Sequence, residues 1–170
     1  FSPRQKRKVV SPHFPPLRLF GTDLLYVDNF KYLGHIIDNK LNDDADIQRE
    51  IRNLFTRANI LTRRFSLCSQ SVKVALFKSY CISLYGCALW RNHTVSSLNK
   101  LRSCCHRCVK TFFGYKRHDS MTAVLFKLSI PSFNTLLHNS RCILRSQTVN
   151  CINSLLQACC SRVAAIIWRW

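Results

Sequence analysis

Glycine and proline are scarce in this chain, four and five among 170 residues. The scarcity excludes a turn-rich β fold and a Gly-rich phosphate loop, and it favours long helices. No run of about 18 uninterrupted apolar residues occurs, which excludes a helix that spans a membrane. The N-terminal stretch FSPRQKRKVVSP carries basic residues with no apolar run behind them, so it does not read as a signal peptide. Beginning at Phe, the chain reads as a fragment or a truncated frame. Acid is scarce as well, and unevenly placed. Eight Asp and Glu stand against 26 Lys and Arg, a formal charge of +18. Residues 1–50 are near balance, with eight basic and seven acidic side chains, whereas residues 51–170 hold eighteen basic ones and a single acid, Asp119.

What is present is apolar residue enough, at 47%, to bury one core or two small ones, which excludes disorder throughout. Charge of one sign spread over a folded body repels itself unless a polyanion neutralises it. Nucleic acid is therefore the expected partner, with a solvated basic face as the plain alternative. A membrane partner is not expected, because no helix is basic on one face and free to lie flat. Ten cysteines invite a disulfide or zinc reading. Without a secretory signal the thiols are expected to be reduced and the protein intracellular, in nucleus or cytoplasm. The run CCHRC (Cys104, Cys105, His106, Cys108) has no matching distant pair and lies in a helical pattern, where neighbours point about 100° apart. Core cysteine is the preferred reading. The six histidines are scattered, and no catalytic triad can be read from their spacing.

Along the chain, residues 17–38 read as strands. Leu17–Phe20 and Leu24–Val27 are separated by Gly21-Thr22-Asp23, a tight hairpin turn, and NFKYLGHIID supplies two further strand pieces hinged at Gly34. Ile47, Ile51, Leu54, Phe55, Ala58, Leu61 and Phe65 then form an apolar stripe of period 3.6 over five turns. Asp43, Asp44 and Asp46 at its start are expected to cap this helix by accepting its unpaired first-turn N–H groups, with Glu50 in the second turn. A second helix is expected from Ser69 or Ser71 through VKVALFKSYCISLYGCALW, with Val74, Phe77, Cys81 and Leu84 in its stripe, Tyr80 and Tyr85 beside it, and Gly86 to stop or bend it. A third over Val95–Phe113 turns Leu98, Leu101, Cys105, Cys108 and Phe112 inward. A short one covers Ser120–Leu128, and Ser132 caps a last one to about Val149. Trp90 reads as core. The fold class is mainly α, with a small N-terminal β-hairpin region.

The order FKYLGHIIDNKL, the amphipathic helix ending in RRF, and then VKVALFKSYCISLYGCALW is similar to the C-terminal part of the reverse transcriptases of non-LTR, LINE-type retrotransposons. The resemblance covers roughly residues 17–150 and extends to SSLNKLRSCCHRCVKTFFGY, which resembles the helices that follow the thumb in that family. It implies four segments: residues 1–40 as the end of the palm with the primer-grip hairpin, 41–90 as a thumb helical hairpin, 91–150 as a post-thumb helical region, and 151–170 as a tail of no assigned role. Phe30, Lys31, Tyr32, Leu33 and Gly34 match the primer grip, which holds the primer's 3′ end. For Leu33 a place in the hairpin's core is preferred. Arg49, Arg52, Arg57, Arg63, Arg64, Lys73 and Lys78 lie on the matched thumb helices, which track template–primer backbone in this family.

The family's polymerase site is built from three aspartates in two earlier motifs, one of them an [FY]-x-D-D turn, and neither occurs in this sequence. The clustered Asp43, Asp44 and Asp46 read as caps rather than metal ligands. No polymerase activity is expected of the chain alone, and no cofactor within it; magnesium belongs to the palm. The implied partners are RNA, DNA or their hybrid, and the palm and fingers part of the polymerase, acting together in target-primed reverse transcription. A decayed element remnant whose helices still fold, and a free-standing basic helical interaction protein, are the alternatives.

Overall fold

A computed structural model describes residues 17–153 apart from residue 85. The basic N-terminal stretch, Tyr85, Cys159, Cys160 and the terminal Trp168 and Trp170 lie outside the described residues.

Two small antiparallel hairpins come first: β1 (Arg18–Leu19) with β2 (Thr22–Asp23), then β3 (Asn29–Tyr32) with β4 (His35–Asp38). Each closes through two residues at positive φ, Phe20-Gly21 (48° and 79°) and Leu33-Gly34 (46° and 85°). That is the primed two-residue turn, whose twist suits a hairpin. The first turn therefore sits one residue earlier than Gly21-Thr22-Asp23, because Thr22 pairs with Leu19 and Asp23 with Arg18. The Arg18 guanidinium reinforces that register at 2.6 Å from Asp23.

Among the described residues five helices follow: α1 (Asp44–Arg64), α2 (Gln70–Tyr80), α3 (Val95–Phe113), α4 (Met121–Lys127) and α5 (Phe133–Val149). The apolar stripe of α1 buries Ile47, Leu54, Ala58 and Leu61 as its period requires. α3 keeps the bounds expected of it, since both its ends have local chemistry. Thr94 accepts the Ser97 N–H at its start, and Gly114, at φ 75°, lets Tyr115 N–H return to the Lys110 carbonyl at its end. Its buried face is rotated slightly from expectation, with Cys104 and Val109 fully inside and Leu98 and Cys105 partly so. Cys81, Cys87, Cys104 and Cys108 all belong to the core, and burial pushes the Cys81 thiol up to about 11.

The second helix is shorter than VKVALFKSYCISLYGCALW suggests: α2 stops at Tyr80, and only a 3-10 turn at Cys87–Leu89 follows. Cys81, Leu84, Cys87 and Trp90 are all buried. A continued helix would carry Trp90 about two and a half turns beyond Cys81, onto the opposite face. The chain leaves the helix so that all four can face the core.

α1 and α3 run in the same direction. Asp44 meets Thr94 where both begin, and Cys104 Sγ lies 3.8 Å from the Ile51 carbonyl further along. α2 returns against them, its Phe77 ring 6.0 Å from Phe112 and 5.7 Å from Phe113 near the end of α3. α5 crosses back, with Asn134 bonded to Arg102 and Arg141 reaching the Trp90 carbonyl.

Candidate nucleic-acid interface

The acids at the start of α1 do not cap it. No side-chain cap bond forms from Asp43, and Asn42 Oδ1 instead takes the Asp44 N–H at 2.9 Å. Asp43 Oδ2 accepts the backbone N–H groups of Arg91 (2.7 Å) and Asn92 (2.8 Å), and Asp44 Oδ1 accepts the N–H of Thr94 at 2.9 Å. The capping expectation is thus corrected. These carboxylates tie the start of α1 to the segment entering α3, whose N–H groups have no helical partner of their own.

Asp46 does most. It is 3% exposed, and four donors converge on it: Trp90 Nε1 (2.8 Å) and His35 Nδ1 (2.9 Å) at one oxygen, Ile36 N–H (3.0 Å) and Arg49 Nε (2.6 Å) at the other. Burial alone would raise its pKa, but the bonds from Arg49, His35, Trp90 and Ile36 together outweigh that and hold the carboxyl well below the usual range. The β3–β4 hairpin is joined to the helical body through this one side chain and through His35, whose ring lies on Gly86. At φ 76° Gly86 is already left-handed, and an added Cβ would fall 1.8 Å from His35 Cε1. His35, Asp46, Gly86 and Trp90 therefore belong to one junction. Gly86→Ala is expected to cost about 1–2 kcal/mol in backbone strain and to push His35 off Asp46. Limited proteolysis within residues 17–38 should accelerate, and an unchanged cleavage rate would contradict the junction.

The seven basic residues expected on thumb helices take three dispositions. Arg49 and Arg57 are turned inward onto Glu50, itself 1% exposed, and Arg49 also onto Asp46. Lys73 is half-buried, its Nζ 5.9 Å above the Phe112 ring. Arg52, Arg63, Arg64 and Lys78 are exposed. Arg63 and Arg64 stand at the far end of α1, about 25 Å along its axis from the hairpin junction at Asp46. They are not beside the glycine-hinged ribbon.

The primer-grip candidates lie on β3 and its turn. Phe30 and Tyr32 share one face, 50% and 58% exposed with ring centroids 6.5 Å apart, and Lys31 points to the other. Leu33 is not core: it occupies the turn at φ 46° and is 72% exposed. The turn's left-handed geometry lifts its side chain away from both strands. From Leu17 to Leu33, ten large apolar side chains are exposed, among them Phe20 and Leu25 at 100% and 92%.

Among the described residues no three His, Cys, Asp or Glu side chains converge as a metal set would. Asp43, Asp44 and Asp46 do not fit a magnesium pair, because N–H donors already hold them. The indole of Trp90 is the site residue least legible in sequence. The available signal was chemical: a buried tryptophan requires an acceptor, and the only acid-rich stretch lies 44 residues before it. Compared with family models, curated proteins and solved structures, the chain matches none.

Proposed function

We propose that this chain is the thumb-side portion of a LINE-type reverse transcriptase and binds nucleic acid through its helical body without reading sequence. The observation that carries the reading is where the acid goes. Asp43, Asp44, Asp46 and Glu50 are bound to N–H and guanidinium donors, while past Glu50 the exposed charge is basic save for Asp119. A body that ties down its carboxylates and exposes its cations suits a phosphate backbone. The apolar hairpins suit a second surface that covers them, which in this reading is the palm. The chain contributes grip and orientation, and the catalytic aspartates and their magnesium lie with the palm.

Arg63→Glu combined with Arg64→Glu tests the placement of the contacts. Both side chains are exposed at a helix end, so circular dichroism should be unchanged. Affinity for an RNA–DNA hybrid should drop, and the salt slope should shrink by about two phosphates' worth. Unchanged affinity would remove this end of α1 from the contact surface.

A further inference from the structure

A second basic surface flanks α1. Between α1, α3 and the loop after α3 runs an open groove of about 1170 Å³. Small-molecule pockets run to ~300–1,000 Å³, so this space suits a polymer segment better. Its floor is apolar: Ile51 and Phe55 from α1, Tyr115 and Met121 from beyond α3. Its rim is cationic, from Lys100, Arg107, Lys110 and Arg117, with Ser, Asn, Thr and Gln side chains between them and no carboxylate in the lining. Lys100, Ser103, Arg107 and Lys110 fall at i, i+3, i+7 and i+10, a stripe about 15 Å long on one face of α3.

The far wall is built, not incidental. Lys110 Nζ donates to the carbonyls of Arg117 (2.8 Å) and Asp119 (2.7 Å), folding the loop back along the end of α3 and fixing Arg117 at the rim. The nearby Asp119 carboxylate accepts the Lys116 N–H at 2.6 Å and lies 4.0 Å from His118 Nε2. We infer that this groove is a path for single-stranded nucleic acid, with phosphates on Lys100, Arg107 and Arg117 and unstacked bases over Phe55 and Tyr115. A duplex offers phosphates but keeps its bases stacked, and so has nothing to place on an apolar, aromatic floor. The inference rests on the nucleic-acid reading above and adds to it the strand state and the residues.

The test uses the full chain with three probes: a short labelled oligouridine, an RNA–DNA hybrid, and heparin, which has charge without bases. Lys100→Glu with Arg107→Glu and Arg117→Glu, all exposed positions, should weaken oligouridine binding by about 100-fold or more at low salt. Tyr115→Ala should weaken it roughly 5- to 150-fold while leaving heparin affinity unchanged, and Tyr115→Phe should restore it. If the triple variant binds oligouridine like the parent while Arg63→Glu with Arg64→Glu still weakens the hybrid, the groove is wrong and the functional reading stands. If Tyr115→Ala weakens heparin and oligouridine alike, base stacking in the groove is refuted. If the parent chain binds neither nucleic-acid probe, both proposals fall together.

Discussion

Asp46→Ala should lower stability by about 3–5 kcal/mol. The cost is not one lost contact. Four donors meet on that carboxylate, and removing it leaves Arg49 Nε, the Trp90 indole N–H and the Ile36 backbone N–H without their acceptor, with Arg49 held only by Glu50 at 3.3 Å. Trp90→Phe removes one donor and keeps the acceptor, so it should cost far less. Chemical denaturation of the three proteins orders them. If Asp46→Ala and Trp90→Phe are equally mild, Asp46 is not the keystone of the junction.

Acid should act on the same point. The folded-state pKa of Asp46 lies below its ordinary value of 3.8, so the folded protein holds this carboxylate deprotonated where the unfolded chain would protonate it. Its contribution is fully present above that ordinary value and fades as pH falls below it. Asp44 shifts the same way: burial raises it, but bonds from Thr94 and Ser97 bring the net value down. Parent stability from these carboxylates should hold from neutral pH down to their ordinary value of 3.8 and fall as the pH drops further, and the fall should be smaller in Asp46→Ala. An identical acid profile in both proteins would place the sensitivity elsewhere.

The second large effect is on binding. Hybrid affinity should fall about 10²- to 10⁴-fold between roughly 50 and 200 mM salt, as expected for the release of counterions from about 4–8 phosphates. The magnitude follows from charge placement rather than total charge. Arg49 and Arg57 are held by internal carboxylates and release nothing when nucleic acid binds, whereas Arg52, Arg63, Arg64 and Lys78 are exposed. A fluorescence-anisotropy titration at four or five salt concentrations gives the slope. A flat profile would mean that the basic surface is a solvated face and that the protein's partner is something other than nucleic acid.

Local signals explain which elements could be read in advance. The ends of α3 were legible because Thr94 and Gly114 act on their own immediate neighbours. The length of α1 was legible because one apolar stripe runs through it. α2 was over-extended because nothing near Tyr80 forbids helix, and the pull comes from Trp90 ten residues later. The two kinds of arginine were indistinguishable in sequence. Arg57 reaches Glu50 two turns away, a pairing that exists only because Glu50 is shut inside.

The sequence by itself determined a mainly helical body, two hairpins turning at glycines, and a charge imbalance that begins at Ile51. All three follow from period, turn chemistry and composition, which need no partner to be expressed. Only the tertiary structure decided what the carboxylates do. It sent Asp43 and Asp44 to another helix's entrance, made Asp46 the joint between hairpin and bundle, and set the cations of α3 along an apolar groove. The reason is reach: a carboxylate bonds whichever donor packing brings within about 3 Å, and the donors that won lie as far as 50 residues away in the chain.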